Sequence, residues 1–304
     1  MRTVYLGSSG FGAAVLAKLV EAGEAPALVV TRPARPKGRG RKPTPTPVAG
    51  LAAQLGLPLF EPERVNDPSA RERIAAARPD LLVVCAYGAL IKGELLAAYE
   101  ILNVHPSLLP RWRGAAPIER AIAAGDRHTG VCVMRLTAGL DSGPVWMRAV
   151  EEIRPDDDYA ALAARLQERG GELLLAALSR LAAGEPLQFR EQPQEGVTYA
   201  EKIGPEDRLI AADLSVAQAE RLVRALHPHI GAQVKLPDGS PLRVERAAYG
   251  GPPPELAPGT LYAAEGRLFL ALGDGALELL EVRPAGGRSM SGEAYLRGHQ
   301  LEKA

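Results

Sequence analysis

The chain has 304 residues, 46% of them hydrophobic and 5% aromatic, and its 36 lysines and arginines are balanced by 36 aspartates and glutamates. That length suggests about two domains, and the apolar content is ample for a core built on Leu, Val, Ile and Ala. The zero net charge confines any nucleic-acid surface to a local patch. No apolar run approaches the ~20 residues of a membrane span. The opening MRTVYLGSSG is too short and too soon interrupted for a signal peptide, so a soluble cytoplasmic protein is expected. Cys85 and Cys132 each sit inside an apolar, strand-like run. They read as buried structural thiols rather than a disulfide, a nucleophile or metal ligands.

The first elements are a β-prone run at Thr3 to Leu6, a glycine-rich turn Gly7-Ser8-Ser9-Gly10-Phe11-Gly12 and a helical run AAVLAKLVEAG. Strand, turn and helix in that order open a doubly wound, Rossmann-like α/β domain. The turn does not match G-x-G-x-x-G, and no acidic residue ends the next strand, Ala27 to Thr31, which disfavours a nicotinamide cofactor. A basic stretch follows, from Arg32 to Pro47. Its cations Arg32, Arg35, Lys37, Arg39, Arg41 and Lys42 alternate with prolines and glycines that exclude helix or strand, and no acid intervenes. Composition alone reads it as a solvated loop, although such a loop can also neutralise phosphates.

Helices are expected over Val48 to Leu55, Pro68 to Ala77 and Leu90 to Ala98, with a short strand at Leu57 to Phe60. Asp80 to Gly88 is a near-continuous apolar run, typical of a strand buried on both faces. Ile101 to Val104 is a further strand, and Asn103 and His105 share one face as it runs out into a loop braked by Pro106 and Pro110. In open parallel sheets that edge binds ligands. An amide there can donate to a developing oxyanion, and an imidazole can move a proton near neutral pH. A strand-end histidine can equally be a hydrogen-bonded structural residue. Pro117 to Ala124 reads as a helix and Gly130 to Leu136 as a strand. The Gly-flanked loop 137–144 carries Asp141, either an ordinary turn acid or a carboxylate that fixes the imidazole tautomer. A strand (Val145 to Ile153) and a long helix (Asp158 to Ala183) follow.

Residues 188–205, polar and irregular, read as a linker between a domain at 1–187 and one at 206–304. The second domain begins with a helix from Ser215, a plausible N-cap, to Leu226. Short strands then alternate with turn signals over Gln233–Leu236, Leu242–Ala248, Thr260–Ala263, Arg267–Leu272 and Ala276–Val282, a spacing that suggests a small β-barrel. His227 and His229 lack a nearby third ligand and read as solvated loop residues, so no metal is expected.

The run NVHPSLLPRWRGAAPI (103–118) resembles the signature of the folate-dependent formyltransferases, and the likeness continues in GDRHTGVCVMRLTAGLDSGPV (125–145). The resemblance implies catalytic roles for Asn103, His105 and, within an intact Gly-Leu-Asp-x-Gly motif, Asp141. It implies that Ser107, Leu108, Leu109 and Pro110 contact the folate, and that 10-formyltetrahydrofolate is the co-substrate and formyl donor. The Arg-Pro…Gly-Arg-Gly-Arg-Lys stretch is similar to an insertion in the tRNA-specific branch of the family, with an OB-like C-terminal domain that helps hold tRNA. Charged initiator methionyl-tRNA is then the partner, and a monomer is expected. The alternatives that stay open are a formyltransferase acting on a small amine such as a sugar nucleotide or a purine precursor, the hydrolase domain of a folate enzyme, and a non-catalytic RNA-binding module.

Overall fold

The apolar opening forms β1 (Thr3–Gly7), buried along all five residues. It turns into α1 (Gly10–Glu21), which is capped where the Ser9 hydroxyl accepts from the Gly12 N–H. Strand and helix approach closely there. A Cβ on Gly12 would lie 2.6 Å from the Cys85 carbonyl oxygen, and the Tyr5 hydroxyl donates to the Gly12 carbonyl at 2.6 Å. The computed structural model describes residues 1–37, 42–299 and 301–303. The chain divides into two units, one comprising Met1–Pro117, His128–Glu152 and Ala163–Ala200, the other Ile118–Arg127, Ile153–Leu162 and Glu201–Ala304.

After β2 (Leu28–Val30), the basic stretch pairs with itself: β3 (Arg35–Lys37) runs antiparallel to β4 (Lys42–Thr44). This corrects the expectation that prolines exclude strand here. Pro36 faces Pro43 in the ladder, and a non-hydrogen-bonded pair is the one position where neither needs an N–H. Then follow α2 (Pro47–Gln54), β5 (Leu59–Phe60), α3 (Pro68–Ala76), β6 (Leu81–Cys85), α4 (Gly93–Ala98) and β7 (Ile101–His105). The helix expected from Leu90 begins only at Gly93. The chain continues through β8 (Arg113–Gly114), α5 (Pro117–Ala124), β9 (His128–Arg135), β10 (Val145–Glu152), α6 (Tyr159–Ala182) and β11 (Tyr199–Ala200).

In the first unit, seven strands lie in the order β10-β9-β7-β6-β1-β2-β5. The five from β7 to β5 run parallel, and β9 and β10 add antiparallel. Connections run to one side of β1 and then to the other, so the order reverses beside β1 and β6, where such sheets open a crevice at their carboxyl ends. Val4, Leu6, Leu82, Val84 and Ile101 join Ile74 of α3 and Leu95 of α4 in one buried cluster. On the opposite face Gly170 lets α6 approach Val104, Phe11 and Val15. Both cysteines are free and buried, and burial pushes the Cys85 thiol up to about 12 and the Cys132 thiol up to about 11.

The second unit carries α7 (Val216–Leu226), opened by a full capping box between Ser215 and Gln218. Its strands are β12 (Ala232–Lys235), β13 (Pro241–Tyr249), β14 (Leu261–Ala264), β15 (Arg267–Leu272), β16 (Gly275–Pro284), β17 (Met290–Ser291) and β18 (Glu302–Lys303). They are ordered β12-β13-β16-β15-β14-β18, with β17 on β16, and only β14 and β18 pair in parallel. His229 is not simply solvated. Its ring stacks on Tyr159 with centroids 3.6 Å apart, and Nε2 lies 3.0 Å from Glu119, because the fold brings residues 118–127 and 153–162 to it.

Gly12→Ala is expected to destabilise the first unit by about 1–3 kcal/mol, because the new methyl group meets backbone rather than a side chain that can swing away. Urea unfolding checks this; an unchanged midpoint would mean that α1 draws back without penalty.

Candidate active site

β7 delivers its last residues to the carboxyl edge of the sheet. Asn103 and His105, two apart, share the face of Ile101, and both are buried. Asp141 arrives on the loop after β9 with φ +42°, in the left-handed region that short polar residues tolerate better than most. Its carboxylate gathers three groups. The Gly114 N–H donates to Oδ2 at 2.9 Å, Asn103 Nδ2 donates to Oδ1 at 3.3 Å, and His105 Nδ1 lies 3.6 Å from Oδ2.

The other imidazole nitrogen, His105 Nε2, lies 2.8 Å from the Trp112 carbonyl oxygen. A carbonyl only accepts, so Nε2 carries the proton of the neutral ring. Trp112 therefore sets the tautomer, a role expected of Asp141 on chemical grounds alone. Trp112 is itself held at φ +62°, and its N–H donates to Thr198 Oγ1 at 2.9 Å. Nδ1 therefore carries no hydrogen in the neutral ring, and a proton gained there faces the Asp141 carboxylate.

Asn103, His105, Gly114 and Asp141 line a cavity of about 530 Å³ whose walls also include Ser9, Val84, Tyr87, Ile91, Leu136 and Leu140. Its size suits a small molecule, and its apolar walls with a few convergent polar groups are typical of such sites. Burial pushes the Tyr87 hydroxyl up to about 12, against the pull of Arg32. Ser9 belongs to the glycine-rich turn, for which no motif specified a contact. The stretch Ser107–Pro110, expected to touch folate, is not on this wall, although Pro106 is. Ser107 is fully buried and donates to the Arg111 carbonyl at 2.6 Å, and Leu109 packs with Cys132, Met134 and Val145.

Of the basic residues, Arg32 is exposed and donates to the Gly88 carbonyl at 3.3 Å. Arg35 pairs with Glu63 at 2.7 Å, both side chains well exposed, and Lys42 is exposed. Lys37 lies in β3, and Arg39 and Arg41 lie outside the described residues. Among the described residues no three His, Cys, Asp or Glu side chains come together to hold a metal ion, and no helix is long and apolar enough to cross a membrane.

Residues 1–178 match the family model described as formyl transferase, and residues 202–300 match formyl transferase, C-terminal domain. Methionyl-tRNA formyltransferase of Methylococcus capsulatus is 43% identical over 99% of this chain and 98% of its own length, and that of Halorhodospira halophila is 42% identical over 99% and 97%. The chain belongs to the methionyl-tRNA formyltransferase family. The fold is shared more widely. The structure of HypX from Aquifex aeolicus in complex with tetrahydrofolic acid superposes with a TM-score of 0.65 at 19% identity, over all of this chain and 49% of that one. This chain thus spans about half the length of HypX. An N-formyltransferase from Helicobacter canadensis, in complex with folinic acid and dTDP-3-aminofucose, gives 0.63 at 12% identity over 92% of this chain and 98% of that one.

Family membership rests on strings of sequence, but the site also uses residues that no motif marked. Thr198 and Gln192 come from the irregular polar stretch after α6, and the Trp112 contact is made by backbone. Neither a polar side chain in an aperiodic segment nor a carbonyl leaves a signal in sequence. The repeated prolines around Trp112 were the only hint that its backbone is constrained.

Proposed function

We propose that the protein transfers the formyl group of 10-formyltetrahydrofolate to the free amino group of methionyl-initiator tRNA, in the cytoplasm. The observation that carries this reading is the meeting of Asn103, His105 and Asp141 on the wall of one largely apolar cavity. Its identity with methionyl-tRNA formyltransferases over nearly the whole chain supports the acceptor. The direct test is to incubate the protein with labelled 10-formyltetrahydrofolate and charged initiator tRNA. Label on the methionine nitrogen is the expected result, and its absence with active substrates counts against the reading.

The folate supplies an activated formyl group on a nitrogen leaving group. The cavity suits it: Val84, Tyr87, Ile91, Leu136 and Leu140 offer apolar walls for a flat ring, beside polar groups at one end. Asn103 uses one Nδ2 hydrogen on Asp141. The second donates to the formyl oxygen as negative charge develops there. His105 takes the amine proton at Nδ1, the nitrogen that Trp112 leaves without a hydrogen, and returns it to the departing nitrogen. Asp141, 3.6 Å from Nδ1, balances the charge that the imidazole gains. No covalent enzyme intermediate is needed.

The basic hairpin is the part of the first unit suited to a nucleic-acid backbone. Six cations between Arg32 and Lys42 have no acid among them. The pairing of β3 with β4 gives Arg35–Lys37 and Lys42–Thr44 a defined path, and cations on such a path neutralise bound phosphates. The Arg35–Glu63 pair is exposed, and a pair of that kind contributes little.

Asn103→Ala, His105→Ala and Asp141→Ala are each expected to lower turnover by orders of magnitude without loss of fold, ~10²–10³ for the oxyanion donor Asn103. Double variants should lose less than the sum, because the three act as a unit. Steady-state kinetics with circular dichroism checks this, and near-parental turnover by folded His105→Ala would remove the mechanism. Arg39→Ala with Arg41→Ala is expected to raise KM for charged tRNA and to flatten the salt dependence of tRNA binding, by up to ~0.9 in log–log slope for each phosphate left unneutralised, with folate-analogue binding unchanged. Parental tRNA affinity and salt slope would favour a small amine as the acceptor.

A further inference from the structure

Asp141 is the only one of the three acting groups that sits on a loop, and it holds a left-handed backbone. For a residue other than glycine that conformation is strained and persists only where the surroundings enforce it. The enforcing group is Gln192, buried with 8% of its surface exposed. Its Nε2 donates to the carbonyl oxygens of Asp141 at 2.8 Å and of Gly143 at 2.7 Å. Its Oε1 accepts from Arg113 Nε at 3.0 Å and Nη2 at 2.8 Å. Both amide hydrogens and the amide oxygen are used, and the amide can face only one way, since carbonyls cannot donate and a guanidinium cannot accept.

The contacts close a ring. Arg113 is followed by Gly114, whose N–H holds the Asp141 carboxylate at 2.9 Å. The same loop is thus gripped by its carboxylate through Gly114 and by its carbonyl through Gln192, and these two anchors are joined through the Arg113 side chain. Gly143 must be glycine for this, because a Cβ there would run into the Arg135 carbonyl.

We propose that Gln192 is a positioning residue for the transfer reaction, setting the Asp141 carboxylate against His105 Nδ1 and Asn103 Nδ2 without touching either substrate. The proposal rests on the role given to Asp141 above. It assigns a function to the polar stretch 188–200, which carries no motif of its own.

Gln192→Glu keeps the shape and the Arg113 partner but replaces both donors with acceptors facing two carbonyls. The expected result is a folded protein whose kcat falls roughly 10- to 100-fold, as for a small misplacement of a reacting group, with KM for each substrate changed by less than about two-fold. In an Asp141→Asn background the same substitution should change kcat by less than about three-fold, since Gln192 acts through that carboxylate. Should Gln192→Glu fail to fold, the paired change Arg113→Met with Gln192→Met, which removes both buried partners together, is measured the same way. Parental kcat in folded Gln192→Glu, a full additional loss in the Asp141→Asn background, or unfolding of both forms would each overturn the proposal. Failure of the Asp141 reading itself shows separately, as parental turnover in Asp141→Asn alone.

Discussion

The arrangement depends on one carboxylate. Asp141 is the point at which three separate segments of the first unit meet: the end of β7 through Asn103 and His105, β8 through the Gly114 N–H, and its own loop after β9. A buried or half-buried carboxylate is costly to hold unless its lone pairs are met, and here each oxygen has a donor. Without that anchor the amide and the imidazole would remain at the strand end, but nothing would fix their spacing from the loop after β9.

The parallel sheet makes the anchor possible. β7 is buried along its length, and its hydrogen-bonded neighbours β6 and β9 fix its register, His105 opposite Cys132 and Asn103 opposite Met134. Two side chains two residues apart on a rigid strand cannot drift relative to each other. The loops supply what the strand cannot. Trp112 turns a carbonyl onto His105, and Gln192 and Gly114 hold the loop of Asp141. Rigid strand residues thus carry the two groups proposed to react, and strained, tied-down loop residues aim them, which is how preorganised sites are built.

The charge distribution follows a similar division. The chain is neutral overall, so its interaction with a polyanion has to be local. Six cations follow closely on one another in sequence between β2 and α2, with no acid among them. Thr31 and Thr46, which bracket the hairpin, share a hydrogen bond at 2.7 Å, and Thr46 also caps α2. The base of the arm is therefore fixed to the sheet.

Much of this was legible in the sequence, because the relevant physics is local. The alternation of apolar strands and amphipathic helices pointed to the doubly wound sheet, the period of two placed Asn103 beside His105, and unusually long exact motifs brought in Asp141. Apolar context also marked Cys85 and Cys132 as buried. What the sequence did not reveal depends on partners that neither composition nor periodicity specifies. Pro36 opposite Pro43 reads as strand only once the pairing register is known. The His105 tautomer depends on a backbone carbonyl seven residues on. Within the motif stretch Ser107–Pro110, Leu109 packs into the core with Cys132, Met134 and Val145, a partnership the motif does not specify. Gln192 sits in a polar segment with no period, 51 residues from the aspartate it holds. Composition and periodicity report which face of an element is buried; they do not report which distant carbonyl or carboxylate that face will meet, and only the tertiary structure decides that.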